Sequence, residues 1–294
     1  MTQVLSTDNL CRRFGSLLAV NNATFAIAEG EILALAGPNG SGKTTLLRIL
    51  AGLLQPTSGE AAVLGRSPRQ ASAEVCYIGD GWELPPWITV GLLAKLQAGA
   101  SPRFNTETYL TLCRSHGLGE SDLYRRLSKG NRKWALFALA AAMPSKLLLL
   151  DEPADGLDPV ARRKLYNLVR KQAMDHGTSV IVSTHILTDV ERLADSVVLL
   201  DRGRIVLHAE LEALREQVRV IETPASLTVP ISASAQCLRT TLSGERRLTW
   251  LRSTTGSLDD LEQQLGPDAI IRTVDLESLF IALFEPQGSS QEVL

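Results

Sequence analysis

The chain has 294 residues, 45% of them hydrophobic and 21% charged, enough for one large core and a smaller second one. A formal net charge of −2 gives no global electrostatic case for binding nucleic acid or an anionic membrane. No apolar run approaches the roughly 20 residues that span a bilayer, and residues 1–14 lack a secretory apolar core.

Taken in chain order, residues 17–27 alternate loosely and predict an antiparallel strand. Gly30-Glu31 turns into Ile32-Leu33-Ala34-Leu35-Ala36, a short apolar run of the buried-strand kind. Gly37-Pro38-Asn39-Gly40-Ser41-Gly42-Lys43-Thr44-Thr45 follows and satisfies G-x-x-x-x-G-K-[ST]. Helical periodicity then runs to a stop at Gly52. Strand, glycine loop and helix are the context a phosphate site needs. Glycines let backbone N–H groups converge on phosphate oxygens, and the helix N-terminus adds partial positive charge. Lys43 would reach the β- and γ-phosphates, and the Thr44 hydroxyl would ligate Mg2+.

Further on, residues 75–78 predict a strand, and Val90, Leu92, Leu93 and Leu96 start a mostly helical region reaching Met143. It is broken at Ser101-Pro102 and at Gly117-Leu118-Gly119. Residues 146–150 read as a buried strand ending in Asp151-Glu152. Pro159 opens a helix that Gly177 closes, residues 179–183 form another strand, and residues 197–207 a hairpin with a glycine turn. Alternating strands and helices imply an α/β fold: a mainly parallel sheet with an antiparallel edge, wrapped by helices. Its ligand belongs at the carboxyl ends of the strands, where residues 37–45, Asp151 and Ser183-Thr184-His185 all fall. In phosphoryl transfer Asp151 would sit on the metal side and Glu152 would orient the attacking water.

After Leu214 the character changes, and residues 215–294 read as a small α+β accessory domain behind a first domain of 1–214. Residues 258–265 look helical and 269–274 strand-like. Leu276, Leu279, Phe280, Leu283 and Phe284 stripe a final helix, and residues 287–294 read as frayed. Cys11, Cys76, Cys113 and Cys237 form no C-x-x-C pair and read as small buried residues of a reducing compartment.

Five segments, in order, make the chain resemble the ATP-binding subunit of ATP-binding-cassette (ABC) transporters. Residues 37–45 match Walker A, and Leu127-Ser128-Lys129-Gly130-Asn131 the signature. Residues 147–152 match Walker B with its glutamate, Gly156-Leu157-Asp158 the D-loop, and His185 the switch histidine. The resemblance spans about residues 5–210, with a helical subdomain at about 84–145, and implies a P-loop NTPase fold and ATP hydrolysis with Mg2+. It implies a head-to-tail homodimer or paired cassette, each ATP held in trans by Ser128, Lys129 and Gly130 of the second copy. Asp158 would be the D-loop acid, and His185 would contact the γ-phosphate or the water. Phe14 stands where the family places a ring stacked on adenine; a core phenylalanine is the other reading.

Three positions depart from the family. Asp80 aligns with the Q-loop glutamine and would reach Mg2+ through a water. Lys129 replaces a signature glycine and would face solvent or add charge near the γ-phosphate, and Asn131 replaces a glutamine. The resemblance implies a separate integral membrane permease, no nucleic-acid partner, and a peripheral place on the cytoplasmic face of the inner membrane. The apolar stretch Trp82, Leu84, Pro85, Pro86, Trp87 and Ile88 is either a docking surface or a buried loop. The lysine-containing signature, Asp158-Pro159 and the C-terminal helix resemble ATPases that partner six-helix permeases of bacterial exporters. The alternatives are a cassette that regulates or mechanically drives an envelope complex, and a soluble cassette acting on ribosomes or DNA. The single Walker A and the absence of a heptad run weigh against the last.

Overall fold

The computed structural model describes residues 2–81, 84–229, 235–253, 265 and 268–284. The chain divides into two compact units, Met1–His208 and Ala209–Leu294.

In the first unit, β1 (Gln3–Phe14), β2 (Leu17–Ala28) and β4 (Ser58–Val63) form an antiparallel sheet in the order β2-β1-β4. A six-stranded sheet is built from β3 (Ile32–Ala36), β5 (Val75–Ile78), β6 (Leu147–Asp151), β7 (Ser179–Thr184), β8 (Ser196–Asp201) and β9 (Arg204–Glu210). Its order is β5-β6-β7-β3-β8-β9, and the pairings from β5 to β8 are parallel.

The apolar runs explain this sheet. Every residue of β3 and β6 is buried, so each strand is covered on both faces. Their side chains alternate between two cores. Leu148 and Leu150 join Val180, Trp134 and Phe137 in one, while Leu147 and Leu149 join Ile181, Leu46 and Leu50 in the other.

The helices are α1 (Lys43–Leu50), the one-turn α2 (Pro68–Ala71), α3 (Val90–Ala100), α4 (Thr106–Ser115), α5 (Lys129–Ala141), α6 (Pro159–His176) and α7 (Leu187–Leu193). Thr89, Asn105 and Ser128 side chains cap α3, α4 and α5 by accepting backbone N–H bonds. Trp134 pins α5 to α4: it is buried, and its Nε1–H donates to the Leu112 carbonyl at 3.0 Å. The His116 ring stacks on it at 4.1 Å. Gly177 closes α6 in the left-handed conformation, as its spacing predicts.

The second unit holds α8 (Leu211–Gln217), β10 (Val218–Pro224), β11 (Ala235–Ser243), β12 (Arg246–Ser253), β13 (Ile270–Thr273) and α9 (Leu276–Phe284). The strands make an antiparallel sheet in the order β11-β12-β10-β13 around Ile221 and Leu251. The stripe on α9 buries Leu276 and Leu279, with Ala282 beside them. Trp82, Pro230, residues 258–264 of the expected helix and the tail at 287–294 lie outside the described residues.

The expectation of four buried cysteines is corrected. All four are free, but only Cys113 is fully buried. Cys76 and Cys237 lie on edge strands, and Cys11 in an irregular stretch of β1. Among the described residues no helix is long and apolar enough to cross a membrane.

Candidate nucleotide site

Parallel register assembles the site. Ala36 pairs with Thr184, and Asp151 with Ser183, so β3, β6 and β7 end side by side. The residues that follow, Gly37, Glu152 and His185, therefore emerge at one rim.

The glycine loop lies hard against the backbone beneath it. A Cβ at Gly37 would fall 2.2 Å from the Leu200 carbonyl oxygen, and one at Gly42 would fall 2.2 Å from that of Ala19. Gly42 also has φ +109° and precedes α1 without a side-chain cap, leaving the first N–H groups of the helix without a side-chain acceptor. Lys43 is buried and curls back, its Nζ donating to the carbonyls of Gly37 at 2.7 Å and Pro38 at 3.2 Å. Ser41 Oγ is buried and has no hydrogen-bond partner among the described residues. Pro38, Asn39 and Gly40 line the outer part of the loop, while Thr44 and Thr45 are half-buried in the first turn of α1.

Opposite, Asp151 is buried and accepts hydrogen bonds from Ser183 Oγ at 2.6 Å and from the Tyr77 hydroxyl at 3.4 Å. Burial, then the Asp151 charge, push the Tyr77 phenol above its usual range, so it stays a donor. Glu152 has φ +46°, a backbone conformation costing a non-glycine residue about 1–3 kcal/mol. Five contacts hold it there. Its N–H donates to Ser183 Oγ at 2.9 Å, and its carbonyl accepts from Lys133 Nζ at 2.7 Å and from the Asp155 N–H at 3.3 Å. Its Oε1 lies 3.4 Å from Lys43 Nζ, and its Oε2 lies 2.9 Å from His185 Nδ1. Glu152 thus bridges the lysine of the glycine loop and the histidine beyond β7.

The remaining predicted residues are spread around this rim. Ser128 Oγ accepts the Asn131 N–H at 3.2 Å at the start of α5, with Gly130 in its first turn. Lys129 is 66% exposed, as its solvent-facing reading expects. Its Nζ meets Asp155 Oδ2 at 2.7 Å, and this bond raises the lysine's pKa and lowers the aspartate's. Asp158 caps α6, its Oδ1 accepting from the Val160 and Ala161 N–H groups. Asp80 is 47% exposed, with Oδ1 3.0 Å from Lys133 Nζ. Phe14 ends β1 and is 45% exposed under the Arg12 guanidinium, which lies 4.5 Å from its ring centroid, so the core reading of this phenylalanine fails. Of the apolar stretch, Ile88 is buried and Leu84 half-buried, while Pro85, Pro86 and Trp87 are exposed.

A family description, ABC transporter, matches residues 20–155. The uncharacterized ABC transporter ATP-binding protein YxlF of Bacillus subtilis (strain 168) is 34% identical over 220 residues, 73% of each chain. The lantibiotic transport ATP-binding protein SrtF of Streptococcus pyogenes is 33% identical over 71% of this chain and 92% of its own. The chain belongs to the ABC transporter family. It is an ATP-binding, ATP-hydrolysing cassette. A solved ATP-binding subunit of an ABC transporter superposes with TM-score 0.64 and 28% identity, covering 72% of this chain and 92% of that one. A dimeric bacterial cassette shares the fold, with TM-score 0.64 at 23% identity over 70% of this chain and 98% of that one.

Two side chains of this cassette escaped the sequence reading. Lys133 joins the loop after β5 to the loop after β6, and Asp155 gathers two lysines. The available signal was spacing: Lys129 and Lys133 stand four apart on α5, one turn along the same helix face.

Proposed function

We propose that this cassette couples MgATP hydrolysis to a separate integral membrane permease, as an exporter, through ATP-dependent pairing with a second cassette. The observation that carries the reading is Glu152, held between Lys43 and His185 at the mouth of the glycine loop.

The residues fit the triphosphate. The backbone amides of residues 40–45 and Lys43 form a positive cradle, and Lys43, now on its own loop's carbonyls, would exchange them for β- and γ-phosphate oxygens. Phe14 offers an exposed face for the adenine. Mg2+, held by Thr44 and Asp151, would neutralise charge on the transferred phosphoryl group. Asp80 would approach it through water only by leaving Lys133. Glu152 would orient the attacking water and accept its proton, and His185 would keep the Glu152 carboxylate aimed and contact the γ-phosphate. Ser128, Lys129 and Gly130 of the second copy would close the site at an α5 N-terminus, beside the D-loop with Asp158.

Export is favoured by similarity through the C-terminal unit. The Nod factor export ATP-binding protein I of Burkholderia lata is 29% identical over 94% of this chain and 95% of its own. The relative SsuB of Zymomonas mobilis, named for aliphatic sulfonate import, aligns over 73% of this chain. Residues 215–294 are then an accessory domain behind a cassette of 1–214. The cassette would sit peripherally on the cytoplasmic face of the inner membrane, with Pro85, Pro86 and the 61% exposed Trp87 as apolar surface toward the permease. Affinity purification of the full chain from detergent-solubilised membranes tests this. A polytopic permease should co-purify; ribosomes, or an envelope complex with no translocation path, would contradict it.

A further inference from the structure

Lys133 stands on α5, only 13% exposed, and its ammonium is fully engaged. A lysine has three N–H donors, and here three acceptors surround it. They are the Glu152 carbonyl at 2.7 Å, Asp80 Oδ1 at 3.0 Å and Asp155 Oδ2 at 3.4 Å. These belong to two loops: Asp80 to the one after β5, and Glu152 and Asp155 to the one between β6 and α6. Asp155 already has a shorter bond from Lys129, so Lys133 is divided chiefly between Asp80 and Glu152.

We infer that Lys133 is a positioning residue for hydrolysis: it holds the Glu152 peptide in its strained conformation, and Asp80 governs that hold. The inference rests on the reading of Glu152 as the group that orients water. A residue at φ +46° keeps that conformation only where its surroundings over-determine it. Ser183 brackets this one on the N–H and Lys133 on the carbonyl, where the Asp155 N–H adds a longer bond at 3.3 Å. With the Lys133 bond removed, the carbonyl keeps only the longer Asp155 bond, so the peptide relaxes and the carboxylate leaves its place between Lys43 and His185. Lys133 makes no hydrogen bond or ion pair with residues 37–45, so nucleotide affinity is untouched. Asp80 carries the second half of the argument. It is the exposed end of the chain Asp80–Lys133–Glu152, so a displacement of its loop shifts the cation and, through it, the Glu152 carbonyl.

The test compares the parent with Lys133→Gln, Asp80→Asn and the double variant, using the full chain and measuring kcat for MgATP hydrolysis and MgATP affinity. The expected result for Lys133→Gln is a kcat loss of about tenfold or more with affinity held within about threefold. The double variant should be no slower than Lys133→Gln alone, because both substitutions break one chain of contacts. A Lys133→Gln rate within about twofold of the parent, or parallel losses of kcat and affinity, overturns the inference. So does a double variant whose losses multiply. A Glu152→Gln variant that hydrolyses ATP at the parental rate sinks the underlying reading instead.

Discussion

Ser183 Oγ donates to Asp151 Oδ1 at 2.6 Å across the β6–β7 boundary, and the same oxygen accepts the Glu152 N–H at 2.9 Å. One buried hydroxyl therefore orients Asp151, the acid proposed to hold Mg2+, and anchors Glu152 next to it. Outer partners of metal-binding carboxylates typically carry a tenfold to hundredfold effect, so Ser183→Ala should lower kcat by about tenfold or more and raise the Mg2+ concentration needed for half-maximal rate. A magnesium titration of ATPase activity checks this. An unchanged half-saturation point would show that Ser183 serves packing alone.

Phe14 offers an exposed aromatic face with Arg12 over it at 4.5 Å. A base stacked on such a ring is worth about 1–3 kcal/mol, so Phe14→Ala should weaken ATP binding by about tenfold. Inorganic triphosphate, which has no base, should bind both proteins alike. Equal loss for the two ligands would move adenine elsewhere.

His116 stacks on Trp134 at 4.1 Å, and its pKa is held below the ordinary histidine value. Burial is the main cause and the Lys164 charge adds to it, against Asp158 and Asn131. The folded protein therefore binds fewer protons here than the unfolded chain. This contribution to stability is complete above the unfolded value and is lost as pH falls through the depressed folded value. The melting temperature should fall on acidification from about pH 7.5 to about pH 5.5, and His116→Phe, which keeps a ring on Trp134, should flatten that fall. An identical slope in both proteins would contradict the assignment.

Much of this was legible because it is local. Residues 32–36 and 147–150 are short, uninterrupted apolar runs, as strands covered on both faces require, and Pro159 and Gly177 mark the two ends of α6. The strand-end rule places the glycine loop, Asp151 and His185 together from the order of the elements alone. β1 was missed because its register shifts three times between Thr7 and Arg13, and Asn9 at φ +46° disrupts the alternation a strand would show. The contacts of Lys133 were invisible for another reason. Its acceptors at Asp80, Glu152 and Asp155 are distant in sequence and meet only when β5, β6 and α5 pack together. Lys129 followed the same rule: Asp155, 26 positions away, holds it.

The central claim is that this chain grips a nucleoside triphosphate through its glycine loop, with Glu152 needed for turnover and a second copy needed for closure. Glu152→Gln keeps the side chain's size and removes its charge, so ATP should be retained and not cleaved. Light scattering of that variant in excess MgATP, with bound nucleotide quantified in the same peak, tests this most directly. The account predicts a species of twice the single-chain mass carrying two ATP molecules, reverting to one chain when magnesium is chelated. A single-chain peak free of nucleotide, both alone and with its membrane partner, would contradict it.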